Sequence, residues 1–380
     1  MLELTEEQQM IRDTVREFAA QEIAPIAREI DEQMRFPLEN VKKMGELGFL
    51  AVPFSEEDGG AGMDTLSYSI VIEELSKVCS SHGLTVAAHT SLGTNPVVVY
   101  GNDEQKKKYL PALTSGEFLS AFCLTEPEAG SDVQNIKSFA QKVDGGFKLN
   151  GSKAFITNAG YAEVFIVFTV TQRNDDGRNK LSTFIVERNS PGLTVGEKER
   201  KMGWCASDTR QVHFDDVFIP EENLLGTLNA GFKQAMIIID AGRISVAALS
   251  LGIAEAALEA SVKYARERKQ FGKPISDFQS TQLKIADMAT RVHASKLMVY
   301  NASRLKDAGK DFRTEAYMAK LYTSETATWV AKEAVQIHGG YGYVNEYPVE
   351  RYYRDAKGAE IGEGTSEIQR FLIAHQIMKM

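Results

Sequence analysis

At 380 residues the chain exceeds the roughly 250–300 at which one core stops growing, so two or three domains sharing interfaces are expected. With 43% apolar residues, 25% charged residues and 30 glycines, the composition excludes a disordered or fibrous protein. The net charge of −9 argues against a nucleic-acid-binding surface, and three scattered cysteines (Cys79, Cys123, Cys205) without CxxC spacing argue against a disulfide scaffold and suit a reducing compartment.

The opening residues, MLELTEEQQM, contain no basic region followed by an apolar run, and no stretch approaches roughly 18 uninterrupted apolar residues. A soluble, cytoplasmic chain with neither membrane nor nucleic-acid partners is the expectation. Residues 1–117 read as helices. Thr5 and Gln8 match a capping box ahead of Ile11, Val15 and Phe18 on one face; Pro37 suits a first turn, and Leu38, Val41, Met44 and Leu47 repeat at helical spacing up to Gly48. After the loop SEEDGGAG, Asp64 can cap a helix carrying Val71, Leu75 and Val78. Residues 118–228 change to short apolar runs (FLSAFCL, FKLNGSKAFIT, VFIVFTV, LSTFIVE, VHFDDVFIP) separated by DGG and NDDG, which predicts a barrel-like or sandwich β domain. From 229 to 380 the helical period returns in segments near 231–267, 280–308, 312–338 and 365–378, a four-helix bundle. The fold class is therefore α+β and multidomain, in the order α–β–α.

Several familiar chemistries lack their signatures. Neither GxGxxG nor GxxxxGK[ST] occurs, so no standard glycine loop holds a nucleotide. There is no HExxH or zinc spacing, and no GxSxG elbow; no metal ligand is assigned.

Five stretches carry candidate chemistry. LTEPEAGSD (124–132) is either a ligand loop exposing Thr125, Ser131 and backbone amides or an ordinary turn at a sheet edge. FITN (155–158) ends a strand with an aromatic and two polar groups, and fits a core aromatic before a turn equally well. RKQFGKPISDFQ (268–279) offers Arg268 to a phosphate, or simply to solvent. QIHGGYGY (336–343) has one more glycine than a helix cap needs, while His338 reads as structural. EIGEGTSEIQR (360–370) sets Glu363 between two glycines ahead of a second capping box, Ser366 with Gln369. Glu363 is either a surface acid complementing a helix dipole or a desolvated base, and burial separates the two. An ordinary Glu, with a pKa of about 4.3, is too weak to take a carbon-bound proton.

Taken in order, these stretches closely resemble the signatures of the acyl-CoA dehydrogenase family across the whole chain, its fatty-acid and branched-chain amino-acid branch in particular, and the α–β–α order resembles that family's architecture. The resemblance implies FAD as cofactor, a homotetramer built as a dimer of dimers, and an electron-transfer flavoprotein as acceptor. It implies that Glu363 removes the α-proton of an acyl-CoA while the β-hydrogen leaves as hydride to flavin N5, giving a trans-2-enoyl-CoA. The enolate oxygen would meet the Glu363 amide and a ribityl hydroxyl. Phe122, Leu124, Thr125, Phe155, Ile156 and Thr157 would line the isoalloxazine, Ser131 would serve flavin and CoA, and Thr365 and Glu367 would also touch the cofactor. Arg268, Phe271, Gln279, Gln336, Gly339 and Gly340 would reach FAD from a neighbouring subunit. Asp240, Arg243 and Gly364 fall where the substrate binds. The localisation implied is cytoplasmic in a bacterium, or the mitochondrial matrix for a processed eukaryotic form.

Four positions depart from the usual pattern. Gly362 stands where most relatives have Tyr, which predicts a wider acyl pocket for short, methyl-branched chains. Gly242 occupies the place of the base in isovaleryl-type members and cannot serve. Cys205 replaces an arginine, and Phe155 a tryptophan. An oxidase or a glutaryl-CoA dehydrogenase on the same scaffold, or a CoA-binding helical protein without flavin chemistry, are the alternatives.

Overall fold

The computed structural model describes residues 3–174 and 179–379; the expected NDDG turn lies, from residue 175 on, outside the described residues. The chain opens with α1 (Glu6–Phe18), α2 (Ala27–Glu32), α3 (Leu38–Glu46), α4 (Thr65–Ala87), α5 (Asn95–Tyr100) and α6 (Asp103–Thr114). The capping box at the start is real: Thr5 Oγ1 accepts from the Gln8 amide at 3.2 Å, and Gln8 Oε1 accepts from the Thr5 amide at 3.1 Å. Asp64 caps α4 by accepting from the Ser67 amide at 2.7 Å. Pro37 sits one position earlier than expected, at the N-cap of α3.

The middle of the chain forms a mixed sheet from β1 (Leu119–Cys123), β2 (Phe139–Val143), β3 (Gly146–Thr157), β4 (Ala162–Gln172), β5 (Lys180–Glu187), β6 (Leu193–Lys198), β7 (Thr209–Pro220) and β8 (Leu224–Leu225). Their order is β6-β7-β3-β2-β4-β5-β8, with β1 running parallel beside β4. Strand β4 is buried along most of its length on both faces, which explains the continuous run VFIVFTV. β2, β6 and β8 were not foreseen because they are short and their runs FAQKV, LTVGEK and LL are weak strand signals.

The last part contains α7 (Gly231–Glu267), α8 (Gln279–Asp307), α9 (Arg313–His338), α10 (Val349–Ala359) and α11 (Ser366–Met378). By length and composition α7 could cross a membrane, but 72% of its most apolar stretch is buried, so it reads as a core helix. It shares one hydrophobic core with α1, α4, α8 and α9. Helix α10 escaped the sequence reading because its buried positions include Arg351 and Asp355, which interrupt any apolar period. Asp355 has a joining role: it accepts from Ser80 Oγ in α4 at 2.6 Å and from the Trp204 amide, just before β7, at 2.6 Å. Arg351 donates to the Val78 carbonyl at 2.9 Å, beside the non-helical Cys79 that kinks α4.

Replacing Asp355 by Ala strands two donors in a dry interior and is expected to cost about 2–4 kcal/mol. Urea unfolding monitored by circular dichroism should shift to lower denaturant; an unmoved midpoint would mean that solvent or neighbours replace these bonds.

Candidate active site

Glu363 occupies a short connection between α10 and α11 with an unusual backbone. Its φ is +52° and that of Gly364 is +95°, so two successive residues adopt left-handed conformations. For the non-glycine member this costs about 1–3 kcal/mol, which the surroundings must offset. Three hydrogen bonds from two side chains hold the turn. Gln369 Nε2 donates to the carbonyls of Glu363 (3.2 Å) and Gly364 (3.0 Å), and Lys320 Nζ in α9 donates to the Gly364 carbonyl at 2.7 Å. The expected Ser366–Gln369 capping box is therefore corrected. Thr365 is the N-cap, accepting from the Ile368 amide at 3.3 Å, while Gln369 is drawn away to the turn carbonyls. The two flanking glycines have different reasons. Gly364 is required by its φ and because a Cβ would lie 2.9 Å from Gln369 Nε2, whereas a Cβ on Gly362 would meet only the Gly358 carbonyl oxygen at 3.6 Å.

The carboxylate turns inward. Glu363 as a residue is partly exposed, yet Oε2 is buried and has no hydrogen-bond partner among the described residues. It packs on α7 where a Cβ on Gly242 would come within 2.3 Å of Oε2, with Leu92 closing the same contact. Desolvation pushes the carboxyl up to about 7, opposed by the charges of Arg243 and Lys320. Asp240 and Arg243 lie on the same part of α7 and form an ion pair; Tyr317 donates to Asp240 at 2.9 Å, and the Arg243 guanidinium lies 4.7 Å over the Tyr317 ring. Burial raises the Asp240 carboxyl above its ordinary value. Glu363, Gly364, Asp240 and Arg243 are thus brought together.

A second group gathers where β1 runs into LTEPEAGSD and β3 bulges toward it. The Ala154 amide donates to the Thr125 carbonyl at 2.9 Å, and the buried Lys153 reaches the Leu124 carbonyl at 3.1 Å and Glu126 Oε1 at 2.7 Å. The register of β3 against β7 slips between Lys153 and Ile156, and in that slip Phe155 takes a φ of +58° and stays 68% exposed. Thr125, Thr157 and Phe122 are partly open, and Ser131 is exposed in the loop. Leu124 and Ile156 bury their side chains in separate cores, so any contact with a ligand falls to their backbone groups.

A π-helical turn, Ala88–Thr94, joins this group to the Glu363 turn. His89 Nδ1 accepts from the Ser120 amide of β1 at 3.1 Å, while Ser91 accepts from Ser245 of α7 at 3.2 Å and Leu92 faces Gly242. Such turns are frequent at functional sites. Sequence reasoning missed it, and missed Lys153–Glu126 and Lys320 as well; buried lysines in FKLNGSKAFIT and YMAKLYTSE carry no distinguishing local pattern.

The third group is elsewhere. Arg268 caps the far end of α7, twenty-six residues beyond Gly242, or about 39 Å along a straight helix. There an open hollow of about 580 Å³ is lined by Arg268, Gly339, Gly340, Tyr264, His338 and Tyr341 among others. Phe271 is 93% exposed, Gln279 and Gln336 are exposed, and a Cβ on Gly339 or Gly340 would meet nothing. His338 is buried against Tyr264 with ring centroids 4.1 Å apart, the structural part expected of it. Thr365 and Glu367 lie at the start of α11, Glu367 exposed. Cys205 is buried beside Arg354, which also pairs with Asp31 at 2.6 Å and Glu350 at 2.7 Å. Among the described residues no group of three or more His, Cys, Asp and Glu is placed to hold a metal.

Residues 5–117, 121–217 and 229–378 match, in turn, the N-terminal, middle and C-terminal domains of acyl-CoA dehydrogenases. The chain belongs to the acyl-CoA dehydrogenase family. It is 51% identical over 377 residues to a probable acyl-CoA dehydrogenase of Bacillus subtilis, covering 99% of both chains. Its fold superposes on butyryl-CoA dehydrogenase from Megasphaera elsdenii with a TM-score of 0.97, at 43% identity and 100% of both chains. An acyl-CoA dehydrogenase from Bacillus anthracis solved with FAD matches at a TM-score of 0.94, 36% identity, 99% of this chain and 67% of that one. The protein is an oxidoreductase of the acyl-CoA dehydrogenase type, and FAD is its cofactor.

The residues present fit such a cofactor: a flat aromatic, Phe155, is held out to solvent at a strained bulge, and Gly339 and Gly340 leave a hollow open beside Arg268. For this acyl-CoA dehydrogenase, a base with a pKa of about 7 has a kinetic signature. With Glu363 as the base, kcat/KM should rise with pH up to about 7, about tenfold per unit on the acid side, and then level. The stability term runs the other way: the carboxyl binds its proton more tightly in the fold than at its ordinary 4.5, so ionising it costs stability as pH rises from about 4.5 to about 7. Stopped-flow bleaching across pH 5–9 reads the first effect; a flat profile through pH 6–7 would exclude this carboxyl.

Proposed function

We propose that the chain oxidises short acyl-CoA thioesters, linear or methyl-branched, to trans-2-enoyl-CoA, with Glu363 as the base that takes the α-proton. One observation carries this reading: a carboxylate oxygen buried without a partner, on a backbone strained to aim it at a glycine of α7. An unpaired, desolvated carboxylate gains basicity, and one held at a defined place can meet a carbon acid at contact distance. FAD supplies the hydride acceptor. Asp240, Arg243 and Gly364 border the acyl-CoA, Ser131 serves both ligands, and Phe122, Leu124, Thr125, Phe155, Ile156, Thr157, Thr365 and Glu367 face the flavin end.

Arg268, Phe271, Gln279, Gln336, Gly339 and Gly340 act on a neighbouring subunit's cofactor; for Arg268 this is supported by about 39 Å of helix between it and Gly242, which packs against Glu363. The same reading takes the assembly as a homotetramer of paired dimers, with domains over 1–117, 118–228 and 229–380. Electrons then pass to an electron-transfer flavoprotein, in the bacterial cytoplasm or the mitochondrial matrix. The butyryl name of the Megasphaera relative supports the short acyl chain. Space around the Gly362 Cβ supports tolerance for branching.

Glu363→Gln should keep its yellow cofactor yet fail to bleach anaerobically with butyryl-CoA, dropping the reduction rate by several orders of magnitude. Bleaching at the parent rate would remove Glu363 from the mechanism. Gly362→Tyr should lower the branched-to-linear ratio of kcat/KM about tenfold, the scale of one misplaced methyl group in an apolar pocket. An unchanged ratio for isobutyryl-CoA against butyryl-CoA would show that the pocket is bounded elsewhere.

A further inference from the structure

Helix α9 carries a wholly buried lysine on the solvent-remote side of the Glu363 turn. Lys320 has no exposed surface, and among the described residues no carboxylate lies within 4.0 Å of its ammonium. Among the described residues its ammonium makes one hydrogen bond, to the carbonyl of Gly364 at 2.7 Å. Burying an ammonium without an ion-pair partner is costly, and a neutral donor could hold a carbonyl at lower cost. Gln369 already does so, donating to the same oxygen at 3.0 Å. A charge retained where a neutral group would suffice needs another use.

We infer that Lys320 is a positioning residue for the base: its ammonium clamps the Glu363–Gly364 turn in its left-handed form and places a positive charge near the carboxylate. This rests on the reading of Glu363 as the base. A cation there favours the ionised carboxylate and limits how far desolvation weakens the acid, so that the base is charged at neutral pH yet remains strong. The groups facing this region are few. Helix α7 contributes Arg243, whose charge is shared with Asp240; α9 contributes Lys320 itself and, further out, Glu325; α4 contributes Tyr68, whose hydroxyl is buried without a partner; and Glu360 closes the turn from α10. Of the two cations, Arg243 acts more strongly on the carboxylate but is tied to Asp240, whereas Lys320 has no carboxylate partner among the described residues and is bound to the turn itself. Burial correspondingly holds its ammonium down to about 8, with Glu363 pulling it back up.

The test uses the FAD-loaded enzyme in three forms besides the parent: Lys320→Met, Lys320→Arg and Glu363→Gln. Butyryl-CoA reduction is followed by anaerobic stopped flow from pH 5.5 to 9.5, and ionisation of Glu363 by infrared difference spectra against Glu363→Gln. Lys320→Met should move the acid limb of kcat/KM up by about one pH unit, a roughly tenfold loss at pH 6 that is recovered near pH 9, with the carboxylate band shifting alike. Lys320→Arg, which keeps the charge, should keep the limb within a few tenths of a unit of the parent. A Lys320→Met enzyme that loses rate equally at every pH, or whose carboxylate band titrates with the parent's, overturns the inference. Should Lys320→Met fail to bind FAD, Lys320→Gln with the infrared titration decides the same question. If Glu363→Gln bleaches like the parent, the base assignment falls instead, whatever the lysine variants do.

Discussion

Everything at this site depends on the close approach of one carboxylate oxygen to one helix. Glu363 Oε2 lies within 2.3 Å of where a Cβ of residue 242 would be, so this placement of the acid needs glycine there and leaves the oxygen without hydration. A helical glycine costs roughly 1 kcal/mol relative to alanine. The acid's desolvation costs more, and the left-handed backbone at Glu363 adds to it. None of these terms favours folding. They are tolerated because α7 is otherwise one of the best-buried elements, sharing its core with α1, α4, α8 and α9. The apolar interior of the bundle thus supports a local arrangement that would not form alone.

The same logic explains how three parts of the chain are held in register. The π-helical turn after α4 is tied to β1 through His89 and to α7 through Ser91 and Leu92. Asp355 of α10 fastens the kink of α4 to the segment before β7. On the sheet side, Lys153 and Glu126 form a buried ion pair that draws the LTEPEAGSD loop onto β3. Such a pair contributes little net stability, but removing one partner is expensive, which makes the loop's position hard to change.

Much of this was legible in the residues. The order of helices and strands follows from apolar periodicity, and the long helices and the principal strands lie where their runs place them. Glu363 stood out because two glycines flanked it, although only one of them is demanded by the backbone: Gly364 by its φ of +95°, while Gly362 reports on space. The illegible parts share a cause. Helix α10, Lys320, Lys153 and Glu126 are polar residues in dry places, and their burial is set by contacts with segments tens to hundreds of positions away. Local pattern treats each as a surface residue. The cap of α11 was misread for a similar reason, since a tertiary demand on Gln369 outweighed its local use.

The length of α7 has a last consequence for assembly. Gly242, in the first third of this helix, faces Glu363, and its far end presents Arg268, with Phe271 in the hairpin just beyond. A straight α-helix neither shortens nor bends enough to bring points about 39 Å apart onto one ligand. A phenylalanine with nearly all of its surface in water and a glycine pair that packs against nothing are poorly used on an isolated chain. Both become useful if another copy brings its own sheet-side group against them, and a two-fold arrangement offers each copy the same exchange. The stiffness that keeps Gly242 against the carboxylate also sets how far from it Arg268 lies. A flexible link in the middle of α7 would loosen both ends together.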